Sequence, residues 1–433
     1  MHKSILLMLV LLVPGTVPAS GAAYDYPFVN AYEATVLGTP SIYMPPLPEE
    51  IPREDDMITI FPERRIPDLF WYSEGLRFSL VAQEKPAPLI FVVAGTGGDY
   101  RSGKVKLLQK AFYQAGFHVL SLSSPTHPNF IIHASATSIP GHVVEDSRDI
   151  YRVMQLAYGK VQERIVVTQF HITGYSLGAV HAAFVAQMDA REKVFGIQKV
   201  LMVNPPVNLY NSVDILDRML TDNPASDSPE EARRFVDYFM TLFAETYERT
   251  QALTFEGDFL YEMYKTRPPE EEKLGVLIGV SFRFASRDLI FTADVMTKAG
   301  YVVPADRELS SVDSLTPYFK VLGQTGFTDY YSELFLPFFQ NRYPGLTDPA
   351  LREQMSLRGI EGFLRRNHNV GLLHNADDVI MAPGEIDYLK EVFGDRARIY
   401  PTGGHCGNMA HHEVLASIVG FFTDRGGRWE EIQ

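Results

Sequence analysis

An α/β architecture, with a mostly parallel sheet flanked by helices on both faces, is what this sequence predicts, and three observations predict it. Apolar runs of strand length, such as residues 89–94, 118–122 and 200–203, alternate with amphipathic stretches of helix length. These runs are rich in Val, Ile, Leu and Phe without polar alternation, the pattern of strands buried on both faces. One run, 166–172, passes without a spacer through Gly174-Tyr175-Ser176-Leu177-Gly178 into an Ala- and Val-rich helix, as in a β-α unit.

Composition bounds the rest. The chain has 433 residues, 46% hydrophobic and 21% charged, enough for a large core and an added domain. Its formal net charge is −14 and it has no cluster of Lys and Arg, which argues against a nucleic-acid partner held through phosphates. Cys406 is the single cysteine, so neither an intramolecular disulfide nor a cysteine-ligated metal cluster can form. Nothing in the sequence calls for a cofactor.

Residues 1–23 read as a secretory signal peptide: Lys3, an apolar core over 5–13 too short to span a bilayer, then small residues with cleavage expected between Ala19 and Ala23. No cysteine follows that core, so a lipid-modified lipoprotein is not expected. The chain is expected to be exported, periplasmic or secreted, with no membrane span once the signal is removed. Residues 24–68, with Pro45, Pro46, Pro48, Pro52, Pro62 and Pro67, read as an extended lead-in with few regular elements.

Residues 69–208 form the first part of the core. Residues 70–72 and 76–81 are candidate first strands, and the strand 89–94 ends in Gly95-Thr96-Gly97-Gly98. A helix follows with Leu108, Ala111, Phe112 and Ala115 on one face and Gly116 to stop it, then the strand 118–122. Another helix presents Ile150, Val153, Met154 and Ala157; next come the strand into Ser176, the helix 177–187 and the strand 200–203. After Asn204-Pro205-Pro206 the rhythm breaks. Residues 209–366 show several helices and no strand pattern, the clearest helix opening with the capping box Ser228-Pro229-Glu230-Glu231. Others span 274–285, 327–339 and 351–365, and because no fixed period recurs they form an insertion and not a repeat array. Residues 367–433 resume the core with a strand at 370–374, a helix at 385–393, a strand at 397–400 and a closing helix at 413–422.

The chemistry centres on Ser176. A chain of this length contains G-x-S-x-G by accident roughly 15% of the time at ordinary Gly and Ser usage, so the strand before it and the helix after it carry the weight. Small residues flanking the serine let the backbone turn sharply and leave its hydroxyl exposed, while the helix N-terminus offers free N–H groups. A serine hydroxyl needs a base, and the base needs an orienting group. His405, in Gly403-Gly404-His405, follows the strand 397–400, and Asp378, in Asn375-Ala376-Asp377-Asp378, follows the strand 370–374. Both fall where a nucleophile, acid, histidine order requires them.

These residues resemble the α/β-hydrolase superfamily over about 88–208 and 369–424, in the style of its capped lipases, esterases and serine-aminopeptidase-like members. The resemblance implies Ser176 as nucleophile, His405 as general base and acid, and Asp378 as the orienting carboxylate, with Asp377 its rival. It also implies an oxyanion hole from the backbone N–H groups of Leu177 and Thr96, although Ala94 stands where many relatives have a histidine. The expected function is that of a serine hydrolase acting on carboxylic esters, a small-molecule or lipid-like substrate, through an acyl-enzyme. A peptidase or amidase shares the same chemistry, and a non-catalytic binding protein could keep the fold.

Other polar residues have plainer readings. His181 reads as a packed or surface histidine, and Cys406 as a small packing residue. His411 and His412 suggest a metal with His405, but no spaced carboxylate or cysteine completes such a site in the sequence. Asp99, Tyr100 and His127 lie on loops expected near the pocket mouth. The stripe Phe235, Phe239 and Phe243 reads as core more readily than as an acyl-binding wall.

Overall fold

Apolar runs become the strands of a single eight-stranded sheet in a computed structural model that describes residues 24–222 and 271–423. The strands are β1 (Arg53–Ile58), β2 (Leu76–Val81), β3 (Ala87–Val93), β4 (His118–Leu122), β5 (Val167–Tyr175), β6 (Lys199–Val203), β7 (Val370–Asn375) and β8 (Ala397–Tyr400). Their spatial order is β1-β2-β4-β3-β5-β6-β7-β8. β2 is antiparallel to β1 and β4, and every other neighbouring pair is parallel.

The helices are α1 (Ala31–Leu37), α2 (Gly103–Gln114), α3 (Pro128–His133), α4 (Val143–Val161), α5 (Leu177–Glu192), α6 (Leu209–Thr221), α7 (Glu271–Thr297), α8 (Thr316–Leu322), α9 (Phe327–Tyr330), α10 (Leu336–Arg342), α11 (Asp348–Gln354), α12 (Glu361–Arg366), α13 (Glu385–Phe393) and α14 (His412–Thr423). Side chains alternate across a strand, and β3 shows the result. Leu89, Phe91 and Val93 enter one core with α4, α5 and α13, while Ile90 and Val92 enter the other with Phe112 of α2 and Ile418 of α14. Each fully buried Leu, Val or Phe there contributes about 1.5–3 kcal/mol over its exposed state.

The lead-in holds more regular structure than its prolines suggest. Asn30 accepts from the N–H groups of Tyr32 and Glu33 to start α1, and Gly38 (φ 71°) ends it. The expected strand at 70–72 is instead a turn of 3₁₀ helix at Asp68–Phe70, with Trp71 and Tyr72 exposed. Pro67 caps that turn, and the Phe70 and Trp71 N–H groups bond back to Pro67 and Asp68. The sheet begins earlier, with the acidic β1. As an edge strand it has one neighbour, and only its last residue, Ile58, is buried, too little to impose alternation; Glu54 and Asp56 pair instead with Arg164 at 2.7 and 3.2 Å, and Asp56 with Lys160 at 2.7 Å.

The described part of the insertion is helical and enters directly after β6. The expected helix 327–339 changes pitch: α9 runs through a π-helical turn at Tyr331–Phe335 into α10, where Pro337 supplies no N–H for a regular bond. The stretch 351–365 is three short pieces, α11, a 3₁₀ turn at Leu357–Ile360, and α12. The capping box at 228–231 and the stripe of Phe235, Phe239 and Phe243 lie outside the described residues, as do residues 1–23.

Candidate active site

Ser176 sits at the carboxyl end of β5 with φ 54° and ψ −127°, a strained conformation for a residue with a side chain. Its neighbours explain how the strain is held. A Cβ on Gly174 would lie 2.2 Å from the Gly178 carbonyl oxygen, and a Cβ on Gly178 would lie 2.2 Å from that of Val93. Only glycine lets β5, the turn and α5 pack this closely against β3. The Ser176 N–H donates to Val203 O at 2.9 Å and ties the elbow to β6.

His405, in the loop between β8 and α14, brings Nε2 to 2.8 Å from Ser176 Oγ. Its Nδ1 lies 3.1 and 3.0 Å from the two carboxylate oxygens of Asp378. Since a carboxylate only accepts, Nδ1 carries the proton and Nε2 is left to accept from the serine. Burial opposes charge on both groups, but their mutual attraction outweighs it: His405 is raised above the ordinary imidazole range and Asp378 lowered below the ordinary carboxylate range.

The adjacent carboxylates have different partners. Asp377 accepts the N–H groups of Gly403 and Gly404 at 3.1 and 2.9 Å, so it shapes the histidine loop without touching the imidazole. Asp378 also accepts from Asn204 Nδ2 at 3.0 Å and from the Ile380 N–H at 3.2 Å. Thr96 and Leu177 line the same cavity as Ser176 and His405. Neither backbone N–H donates to a protein acceptor among the described residues, whereas Gly97 and Gly98 do, to Thr126 Oγ1 and Gly95 O. Two free donors beside Ser176 suit an oxyanion.

The sequence did not point to several residues that hold this arrangement. Thr35 of α1 gives its hydroxyl proton to Ala31 O at 2.7 Å and accepts the His405 N–H at 2.9 Å, from 370 residues away. Asn375 and Asn408, both fully buried, bond to each other at 2.7 and 2.9 Å, and Asn375 also donates to Gly404 O at 2.8 Å. Behind Asp378, His374 accepts the Asn375 N–H at Nδ1, and its Nε2 donates to Pro205 O at 3.1 Å; burial lowers its pKa and keeps it neutral. Asn204 follows a strand with φ 46°, a backbone state that favours Asn or Gly; nothing else in the sequence marks it.

The cavity above Ser176 has a volume of about 310 Å³. Leu209, Val213 and Leu216 of α6 and Ile278, Phe282 and Ala285 of α7 form an apolar roof, and Thr35 and Lys104 add polar groups. Cys406 (φ 61°) also lines it, with Sγ 4.0 Å from His405 Nε2. Asp99, Tyr100 and His127 do not line it: Tyr100 is buried, and His127 caps α3 through the Asn129 N–H. His181 is fully buried on α5 and bonded to Ser147 Oγ at 2.9 Å, its pKa pushed down to about 3 by burial. His411 and His412 group with Asp25 and not with His405.

The strand order, the elbow at Ser176 and the Ser-His-Asp arrangement at the carboxyl ends of parallel strands define an α/β-hydrolase fold. Among solved structures, the chain is similar to fungal esterases from Rhizomucor miehei (14% identity, TM-score 0.40, covering 87% of this chain and 83% of that one). It is also similar to a carboxyl esterase from Bacillus coagulans (12%, 0.38, 86% and 97%) and to a proline iminopeptidase from Mycobacterium smegmatis (12%, 0.38, 82% and 96%). These likenesses are distant, and the fold assignment rests on the topology itself. No protein-family model and no curated protein matches the sequence.

Proposed function

We propose that the protein is an exported serine hydrolase that cleaves carboxylic esters through an acyl-enzyme on Ser176. One observation carries the reading: a strained serine whose Oγ is 2.8 Å from His405 Nε2, with Nδ1 held by a buried carboxylate. His405 takes the Oγ proton as the oxygen attacks the ester carbonyl. The oxyanion is held by the N–H groups of Leu177 and Thr96, and His405 returns the proton to the departing alcohol. Water, deprotonated by the same imidazole, then releases the acid and restores Ser176. The apolar roof over the serine supports a substrate with an apolar acyl or alcohol part, and the 1–23 signal reading supports action in the periplasm or outside the cell.

The test is labelling of the mature protein with a fluorophosphonate, wild type against Ser176→Ala and His405→Ala, followed by nitrophenyl esters and aminoacyl anilides. Labelling of the wild type alone and turnover of esters are expected. A folded wild type that does not label overturns the catalytic reading, and anilide turnover exceeding ester turnover transfers the assignment to a peptidase. N-terminal sequencing of the exported protein tests the signal cleavage.

A further inference from the structure

Sequence alone groups His411 and His412 with His405 but offers no carboxylate to complete a site; the fold instead sets the two adjacent histidines beside Asp25, from the opposite end of the chain. Asp25 Oδ1 lies 2.9 Å from His411 Nε2 and 3.7 Å from His412 Nε2. One ligand atom from each of the three residues falls within 4.8 Å of the others. A tetrahedral zinc ion with bonds of about 2.0–2.1 Å needs its ligands about 3.3 Å apart, midway between the two observed separations. The two imidazole rings lie 4.2 Å apart, tilted by 36°, and both turn Nε2 toward Asp25 Oδ1.

We propose that Asp25, His411 and His412 form a surface site for a divalent transition metal of the zinc class, separate from the catalytic centre. The orientation of the His412 ring argues for it. Its Nδ1 lies 3.2 Å from Tyr43 O, and a carbonyl only accepts, so Nδ1 carries the proton. With Nδ1 turned to that carbonyl, Nε2 is the nitrogen that faces the Asp25 carboxylate, 3.7 Å away. A backbone carbonyl fixing the far nitrogen is also the usual support of a metal-bound histidine. Two imidazoles with one carboxylate favour zinc, cobalt or nickel over calcium and magnesium, which take oxygen ligands.

The site is open on one side, with Asp25 and His412 side chains 57% and 50% exposed and His411 fully buried. Nδ1 of His411 has no polar partner and its ring packs among Tyr24, Tyr26 and Tyr43. Metal at its Nε2 places the ring proton on that nitrogen, so binding is weaker than where both rings have outer acceptors. The bound ion clasps the N-terminal segment to the start of α14, close to the loop that carries His405.

The experiment uses the full mature chain, free of any histidine tag and stripped with EDTA, titrated with Zn²⁺ by calorimetry and with Co²⁺ by visible absorption. One Zn²⁺ per chain, a tetrahedral Co²⁺ spectrum, no competition from Mg²⁺ or Ca²⁺, and at least tenfold weaker binding in Asp25→Ala and His412→Ala are expected. Circular dichroism checks that both variants fold. No saturable Zn²⁺ binding, or binding unchanged in folded variants, overturns the proposal.

Discussion

The elbow and the histidine loop hold two ends of one hydrogen bond, yet they are built in opposite ways. The elbow is held by exclusion: Gly174 and Gly178 let three backbone segments approach to distances that any Cβ would forbid. Its determinants lie within five consecutive residues. The loop around His405 is held by long-range polar bonds, from Asp377 to Gly403 and Gly404, from Asn375 to Gly404 O, and from Thr35 to the His405 N–H. Glycine serves this loop as well, since Cβ atoms on Gly404 and Gly407 would lie 2.2 and 1.9 Å from the Ala31 and Ala34 carbonyl oxygens of α1. Ser176 is placed by its neighbours in sequence, whereas His405 is placed by the loop after β7 and by the N-terminal segment.

The largest expected effect breaks the elbow. Gly178→Ala drives a methyl into the Val93 carbonyl, which is backbone and cannot rotate away, and the expected cost is about 3 kcal/mol or more. Urea unfolding and fluorophosphonate labelling check it; stability and labelling at the wild-type level would show that β3 and α5 can separate. Next come the paired carboxylates. Asp378→Asn should lower kcat by about 10⁴-fold through loss of the tautomer and the charge, while Asp377→Asn, which loses only loop support, should cost on the order of tenfold.

The same pair predicts the pH profile. A catalytic base works when neutral, and His405 is raised above the ordinary imidazole value of about 6.5. Activity should therefore rise with pH through a limb above that value, and residual activity of Asp378→Asn should show the limb moved down. A wild-type limb below pH ~6 would contradict the attraction of Asp378. The smallest effect belongs to the N-terminal support. Thr35→Val keeps the shape but strands the His405 N–H, so kcat should fall about tenfold, ~1.4 kcal/mol of barrier, with KM nearly unchanged. Thr35→Ser keeps the hydroxyl and should restore kcat; failure of that rescue would assign Thr35 a packing role only.

By itself the sequence determined the parallel core and the strand-turn-helix around Ser176, because buried strands and the elbow are written in contiguous apolar runs and close glycines. It also located Asp378 and His405 after β7 and β8, since strand ends are local features. Only the tertiary structure decided that Asp377 and Asp378 face different partners, because adjacent residues on a loop have no periodicity to orient them. It likewise made β1 a strand, as an acidic edge lacks the alternation that burial imposes, and drew α1 and Asp25 across to the histidine loop. Contacts separated by 370 residues leave no local pattern: each side chain satisfies a partner that exists only once the chain has folded.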